Sequence, residues 1–454
     1  MRNILKNLTF IVENAIFLAC LKPKDKNMLI QFSVKNFRSF KEESILSLVA
    51  SSIKELAEQN IFRVSNDLSL LKNVVIYGAN ASGKSNLIRA MSFMKRFILS
   101  SSKDTQVSEP IPTERFRLHT ETENQPSVFE IVFIQKKIQY RYGFAATQKE
   151  VVEEWLYYVP NKQELEVFVR KGQDFNLSRH FKSEEPLVQA NRIRPNALLL
   201  SVSAQFNGEI AKTIMEWFSF FNCISGLDSR NYGPIAFKLS KDEGGRKSIL
   251  DFLKKADLGI DDFNVVETKV ERANFPPEVL KFFKEDKGLT RIDIRTAHKK
   301  YDSKGNVTEI VNFDMNKDES QGTQKFFELS GPIIDTLKGR VLVIDELDAQ
   351  IHPKLARAIC EVFNSKELNP NNAQLIFIAH NTNILDKDLL RRDQIWFVEK
   401  DQYGASELFS LVEFKDPQNG KKVRNDASYE KSYLNGIYGA VPHVRDFEVK
   451  HGDR

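Results

Sequence analysis

The chain is poor in residues that staple or tether a fold. It has only three cysteines, Cys20, Cys223 and Cys360, far apart and without metal-ligand spacing. That excludes a disulfide framework and a zinc site and fits a reducing, cytoplasmic setting. Neither sign of charge dominates: 66 Lys and Arg stand against 61 Asp and Glu, so composition alone does not mark a nucleic-acid binder. Short basic clusters at residues 298–300, 391–392 and 421–424 are expected to be solvated faces. No apolar run is long enough to span a bilayer. Residues 8–21 (LTFIVENAIFLACL) carry Glu13 and Asn14, and neither a signal peptide nor a membrane partner is expected. No heptad pattern persists and no segment recurs at a fixed period, which argues against long coiled coils and solenoids.

What is present is the composition of a globular protein, with 41% hydrophobic residues in 454, enough for one large domain or two to three ordinary ones. Residues 1–27 are expected to be an upstream start or a disordered tail, because Met28 directly precedes the first well-patterned strand, residues 29–34. Residues 71–77 form an apolar run ending at glycine, as a buried parallel strand does, and a helix follows over residues 84–99. Residues 128–134, 138–144 and 151–159 alternate with period two, predicting an antiparallel sheet. Helical signals dominate residues 197–258, and the runs at 291–297 and 307–313 flank DSKGN as a hairpin would. Two strongly apolar strands, residues 340–344 and 374–379, end in charged or polar residues, where doubly wound sheets place ligands. The expected division is 28–165, 166–289 as an inserted mainly helical module, and 290–454.

The segment GANASGKS, residues 78–85, sits between a strand and a helix, the context a phosphate-binding loop requires. Gly78 and Gly83 allow a tight turn in which the backbone N–H groups of Ala79, Asn80, Ala81, Ser82 and their neighbours through Asn86 converge on phosphate oxygens at a helix N-terminus. Lys84 would reach the β and γ phosphates, and the Ser85 hydroxyl would bind Mg²⁺. A glycine turn capping a helix is the plain structural alternative. Far downstream, RVLVIDELD places Asp345 and Glu346 at a strand end, one suited to Mg²⁺ and the next to act as general base on the attacking water. Alone, such an acidic pair is also what a solvated strand end looks like. His380 ends the next apolar strand and could contact the γ phosphate; a merely structural histidine is the alternative.

With QFSVKNFRSF (31–40), DESQGTQKFF (318–327), AHNTNIL (379–385) and YLNGIYGAVP (433–442), the set resembles the ABC-type ATPase heads of the SMC and RecF kind. It resembles more closely the RloA-like, AAA-family ATPases of bacterial anti-phage and abortive-infection loci, a group that includes the PARIS ATPase. The resemblance implies an α/β P-loop NTPase fold with an ABC-type head: a parallel-rich core sheet, an antiparallel sheet and an inserted helical module. It implies that Ser320 and Gly322 form a signature that binds the γ phosphate held by a second subunit, that Asp348 is the D-loop aspartate, and that Arg38 lies close to nucleotide. Residue by residue, Ser320 is equally a helix cap, and Arg38 an exposed strand-end charge. The long coiled coils of SMC heads are missing between loop and signature, which argues against long-range DNA tethering.

The resulting expectation is an ATP- and Mg²⁺-dependent switch that closes a head-to-head dimer or higher oligomer. By resemblance it would sense infection and control an effector nuclease encoded nearby. The alternative is a RecF-like, ATP-dependent DNA-binding repair ATPase, with duplex DNA as the partner. A ring-forming AAA+ remodeller is disfavoured, since no arginine-finger context is evident.

Overall fold

The computed structural model of the chain describes residues 27–103, 106, 108–230, 232–270, 289–416 and 420–442. The tail expected over residues 1–27 lies outside them apart from Asn27. Two compact units emerge: residues 27–223, 339–347 and 359–442 form the larger, and residues 224–338 and 348–358 the smaller.

In chain order the larger unit begins with β1 (Met28–Lys35), β2 (Ser44–Ser47), the short pair β3 (Ile61–Arg63) and β4 (Ser69–Leu71), β5 (Asn73–Tyr77) and helix α1 (Lys84–Ser100). There follow β6 (Ser127–Gln135), β7 (Ile138–Ala146), β8 (Val151–Val159), β9 (Leu165–Lys171) and β10 (Asp174–Leu177), helices α2 (Leu199–Gln205) and α3 (Glu209–Phe220), and β11 (Phe221–Ser225). The smaller unit supplies α4 (Gly233–Ser240), α5 (Glu243–Lys255), β12 (Asp262–Val270), β13 (Leu289–Tyr301), β14 (Val307–Asp314) and α6 (Gln321–Thr336). The chain then runs through β15 (Val341–Asp345), α7 (Pro353–Asn364), β16 (Gln374–Ile378), β17 (Ile395–Lys400), β18 (Ser406–Ser410) and α8 (Tyr429–Leu434).

Seven strands of the larger unit make one antiparallel sheet, in the order β10-β9-β8-β7-β6-β1-β2. Its period-two pattern turns Phe129, Ile131, Phe133, Tyr142 and Phe144 to one face, all buried. Against them lies α1, whose Leu87, Met91, Met94 and Ile98 recur at helical spacing and whose Phe93 ring sits 5.0 Å from that of Phe129. The second sheet has the order β11-β15-β16-β5-β17-β18, and β15, β16, β5 and β17 pair in parallel. The run VVIY of β5 is buried throughout, as a central parallel strand with both faces covered must be. Large side chains buried this way contribute about 1.5–3 kcal/mol each. That outweighs the roughly 1 kcal/mol of a missing side-chain cap, so α1 can begin at Gly83 with none.

The boundary expected at residue 165 needs correction: the antiparallel sheet continues through β9 and β10 to Leu177, turning at Gly172 (φ +57°). These strands are short, so their alternation was submerged in the helical signals that follow. Residues 197–221 also belong to the larger unit's core. In the smaller unit the expected hairpin forms, with β13 paired to β14 and the Asp302 carboxylate accepting from the N–H groups of Lys304 and Asn306, both at 2.8 Å. There α6 approaches α4 where Gly331 has no Cβ to strike Ala236, and Phe252 of α5 stacks on Phe326 of α6 at 4.7 Å.

Of the pair Arg391-Arg392, expected on a solvated face, Arg391 is buried and Arg392 is half-buried against Glu55. Arg391 is 0% exposed, binds Asp393 at 2.6 Å and donates to the carbonyls of Ser51, Ile53 and Glu55. Its five donors are used up in bracing one loop.

Candidate functional site

The phosphate-loop segment leaves the C-terminal end of β5, flanked by β16 and β17. Gly83 stands at φ +116°, and a Cβ there would meet the hydroxyls of Ser39 and Ser406; one at Gly78 would run into the Val398 carbonyl oxygen. Both glycines are therefore required by the space around them as well as by the turn. Ala81 also adopts a left-handed backbone, φ +64°, and together with Asn80 it is exposed at the tip. Ser82 is buried, and its hydroxyl has no hydrogen-bond partner within the described residues. Lys84 is buried too, its Nζ donating to the carbonyls of Gly78 (2.7 Å) and Ala79 (2.9 Å). A buried ammonium resting on carbonyl oxygens, with an orphan hydroxyl and the N-terminus of α1 beside it, is a cradle for an anion.

Ser85, the second residue of α1, donates from Oγ to Asp345 Oδ1 at 3.0 Å across 260 residues of chain. Asp345 ends β15. Burial raises its pKa above the ordinary carboxylate value and the neighbouring Glu346 raises it further, while the Ser85 hydrogen bond and the charges of Arg89 and Lys84 lower it. Hydroxyl and carboxylate together are a hard oxygen pair suited to Mg²⁺. Glu346 is held at φ +59°, a left-handed conformation that costs a non-glycine residue on the order of 1 kcal/mol or more. The next residue anchors it, Leu347 N donating to Ile378 O at 3.0 Å. Thus the ends of β15 and β16 are tied together, and His380 Nε2 lies 3.9 Å from Glu346 Oε1. Asn381, following His380, accepts from the Tyr77 hydroxyl at 2.6 Å.

The loop, Ser85, Asp345, Glu346 and His380 therefore meet at one edge of the parallel sheet. Arg38 is not an exposed strand-end charge. It sits in a tight turn after β1 at φ +52°, paired with Glu114, its Nε buried without a partner. Its neighbour Ser39 is what reaches the loop, accepting from Asn86 Nδ2 at 2.9 Å. Ser39 went unnoticed in the sequence although it lies inside the NFRSF motif. Ser406 was missed as well: its hydroxyl donates to Ser82 O at 2.5 Å and its N–H to Ser39 O at 2.7 Å, and an edge-strand serine carries no sequence signal. Ser320, Gly322 and Asp348 belong to the smaller unit. Ser320 is the N-cap of α6, its Oγ accepting from Thr323 N at 3.1 Å. A Cβ on Gly322 would come within 3.2 Å of Gln350 O.

Fold and loop together define a P-loop NTPase. Residues 74–386 match the protein family described as "AAA domain, putative AbiEii toxin, Type IV TA system", and the chain belongs to that family. No curated protein matches the chain. Among solved structures it is similar to the SMC head domain from Thermotoga maritima, at 14% identity over 84% of this chain and 98% of that one, with a TM-score of 0.39. The Smc head of Pyrococcus yayanosii matches at 11% identity over 85% and 97% of the two chains, TM-score 0.35. The recombination mediator RecF, in a structure titled RecF-ATPrS, matches at 14% identity over 86% and 100%, TM-score 0.35. No helix among the described residues is long and apolar enough to cross a membrane.

Proposed function

We propose that the protein binds and hydrolyses ATP with Mg²⁺, and that ATP closes two copies head to head. The observation that carries the hydrolytic half is the Ser85–Asp345 bond at 3.0 Å with Glu346 and His380 at the two adjoining strand ends. In this mechanism the N–H groups of residues 79–86 and the orphan Ser82 hydroxyl hold the phosphates, and Lys84 exchanges its two carbonyl partners for phosphate oxygens. Ser85 and Asp345 would hold Mg²⁺, whose charge offsets that of the phosphates. Glu346 accepts the proton of the attacking water, and His380, beside it, steadies the γ phosphate. Ser320, Gly322 and Asp348 would act on the nucleotide held by the partner copy, and Arg38 braces the turn that carries Ser39.

By the resemblance of the motifs, the biological output is defence against phage, with a cytoplasmic switch controlling an effector nuclease encoded nearby. The family's printed description, which names a toxin of a type IV toxin–antitoxin system, supports a place in such conflict systems.

The Glu346→Gln variant tests the chemistry. It should bind ATP as the wild type does, hydrolyse it on the order of 100-fold more slowly, and accumulate the ATP-bound assembly by light scattering. Wild-type turnover in this variant would overturn the assignment of the base.

A further inference from the structure

The segment YLNGIYGAVP has no part in the chemistry above, yet it lies directly behind it. From α8 the chain makes two tight turns, with Gly436 at φ +72°, Gly439 at +67° and Ala440 at +57°. They bring Ala440 O back to accept from the Tyr433 hydroxyl at 3.2 Å. Gly439 has no room for a side chain, since a Cβ there would lie 2.6 Å from Glu399 Oε2. The turns thus seat Tyr433, which is buried with its ring 5.4 Å from Phe397 and 5.6 Å from Tyr77. Tyr77 is the residue before Gly78, so the ring contact places Tyr433 at the entry to the phosphate loop. One helical turn earlier, Glu430 Oε1 accepts from Thr382 Oγ1 at 2.5 Å. Thr382 is two residues beyond His380, and the intervening Asn381 is itself tied to Tyr77.

One short segment therefore touches both the entry to the phosphate loop and the loop that carries His380. We infer that residues 429–440 form a clamp with two separable jobs: Tyr433 sets the position of the phosphate loop, and Glu430 sets that of the histidine loop. Both are positioning residues, acting through Tyr77 and Thr382. Small displacements of a phosphate cradle change affinity, and small displacements of a group beside the reacting phosphate change turnover. The two contacts should therefore leave different kinetic signatures. This inference rests on the ATPase reading for its kinetic half alone.

Tyr433→Phe keeps the ring and removes the hydroxyl; Glu430→Gln keeps the shape and removes the charge. Amide hydrogen exchange on the full chain without nucleotide should show several-fold faster exchange over residues 78–84 in the first and over residues 380–385 in the second, with the melting temperature little changed. With a fluorescent ATP analogue and Mg²⁺, Tyr433→Phe should bind roughly three- to tenfold more weakly at nearly unchanged kcat. Glu430→Gln should lose a similar factor in kcat at nearly unchanged affinity. Leu434→Ser, at a residue 62% exposed, should change neither. Unchanged exchange in both loops overturns the clamp, as does parallel loss of affinity, kcat and thermal stability in both variants, which marks a plain packing role. Altered exchange in a protein that fails to bind the analogue even as wild type leaves the clamp standing and overturns the ATPase reading instead.

Discussion

The phosphate loop and the ESQGT segment are both short polar stretches that open a helix, yet the structure holds them in opposite ways. Around the loop the partners come from far along the chain: Asp345 to Ser85, Ser39 to Asn86, Ser406 to Ser82. Around ESQGT they are mostly local. Ser320 caps Thr323, Gln324 donates to Glu319 O at 2.9 Å, and Asp318 accepts from Asp314 N at 2.7 Å. A loop braced by long-range contacts is set before any ligand arrives, because its cost in chain entropy is met by folding itself. A helix start satisfied largely by its own residues takes little from the rest of the unit beyond the Thr296 and His298 contacts to Glu319, and its cap fixes where the first-turn N–H groups point. Capping and the proposed service to a partner copy are therefore compatible roles for Ser320.

The largest effect is expected at the long-range site. Lys84→Ala removes the one buried ammonium of the loop, and charge-assisted bonds to phosphate are worth about 1.5–3 kcal/mol each. Calorimetric titration should show ATP affinity down by roughly 100-fold or more. Binding at wild-type strength would mean that the loop's backbone alone holds the nucleotide. An intermediate effect is expected at the local site. Ser320→Arg should leave nucleotide binding intact and abolish ATP-dependent association in light scattering. Ser320→Ala, which loses only the cap, should cost about 1 kcal/mol of stability and keep association partly intact. If the arginine variant still associates with ATP, the helix start serves its own unit alone.

This contrast also explains how much could be read from the sequence. The two apolar strands ending at Asp345 and His380, the phosphate loop and its helix were legible because each couples a hydrophobic period to an abrupt polar end. The same holds for the three long antiparallel strands and the DSKGN hairpin. Hidden from the sequence were contacts whose residues have no local signature: Ser406 on an edge strand, the short β9 and β10, and Arg391, whose burial depends on carbonyls more than 330 residues away. The capping of Thr323 by Ser320 was legible, being local.

The smallest effect is expected at Asp345, and it concerns stability. Burial and the adjoining Glu346 raise its pKa in the folded protein above the ordinary 3.8. The native state therefore holds the proton more tightly than the unfolded chain does. Protonated Asp345 favours the fold at low pH, and that contribution is lost as pH rises through the folded pKa. At neutral pH the carboxylate stands ionised against its surroundings, a burden kept for the cation it is proposed to help hold. Asp345→Asn removes the charge and keeps an oxygen that can accept from Ser85. The variant should melt on the order of a degree or two higher than the wild type at pH 7.5 without nucleotide, the gap closing as pH falls toward 4, while ATP hydrolysis is lost. A variant less stable than the wild type at pH 7.5 would show that the Ser85 bond and the nearby Arg89 and Lys84 outweigh burial. The loop would then be held together by Asp345, not strained by it.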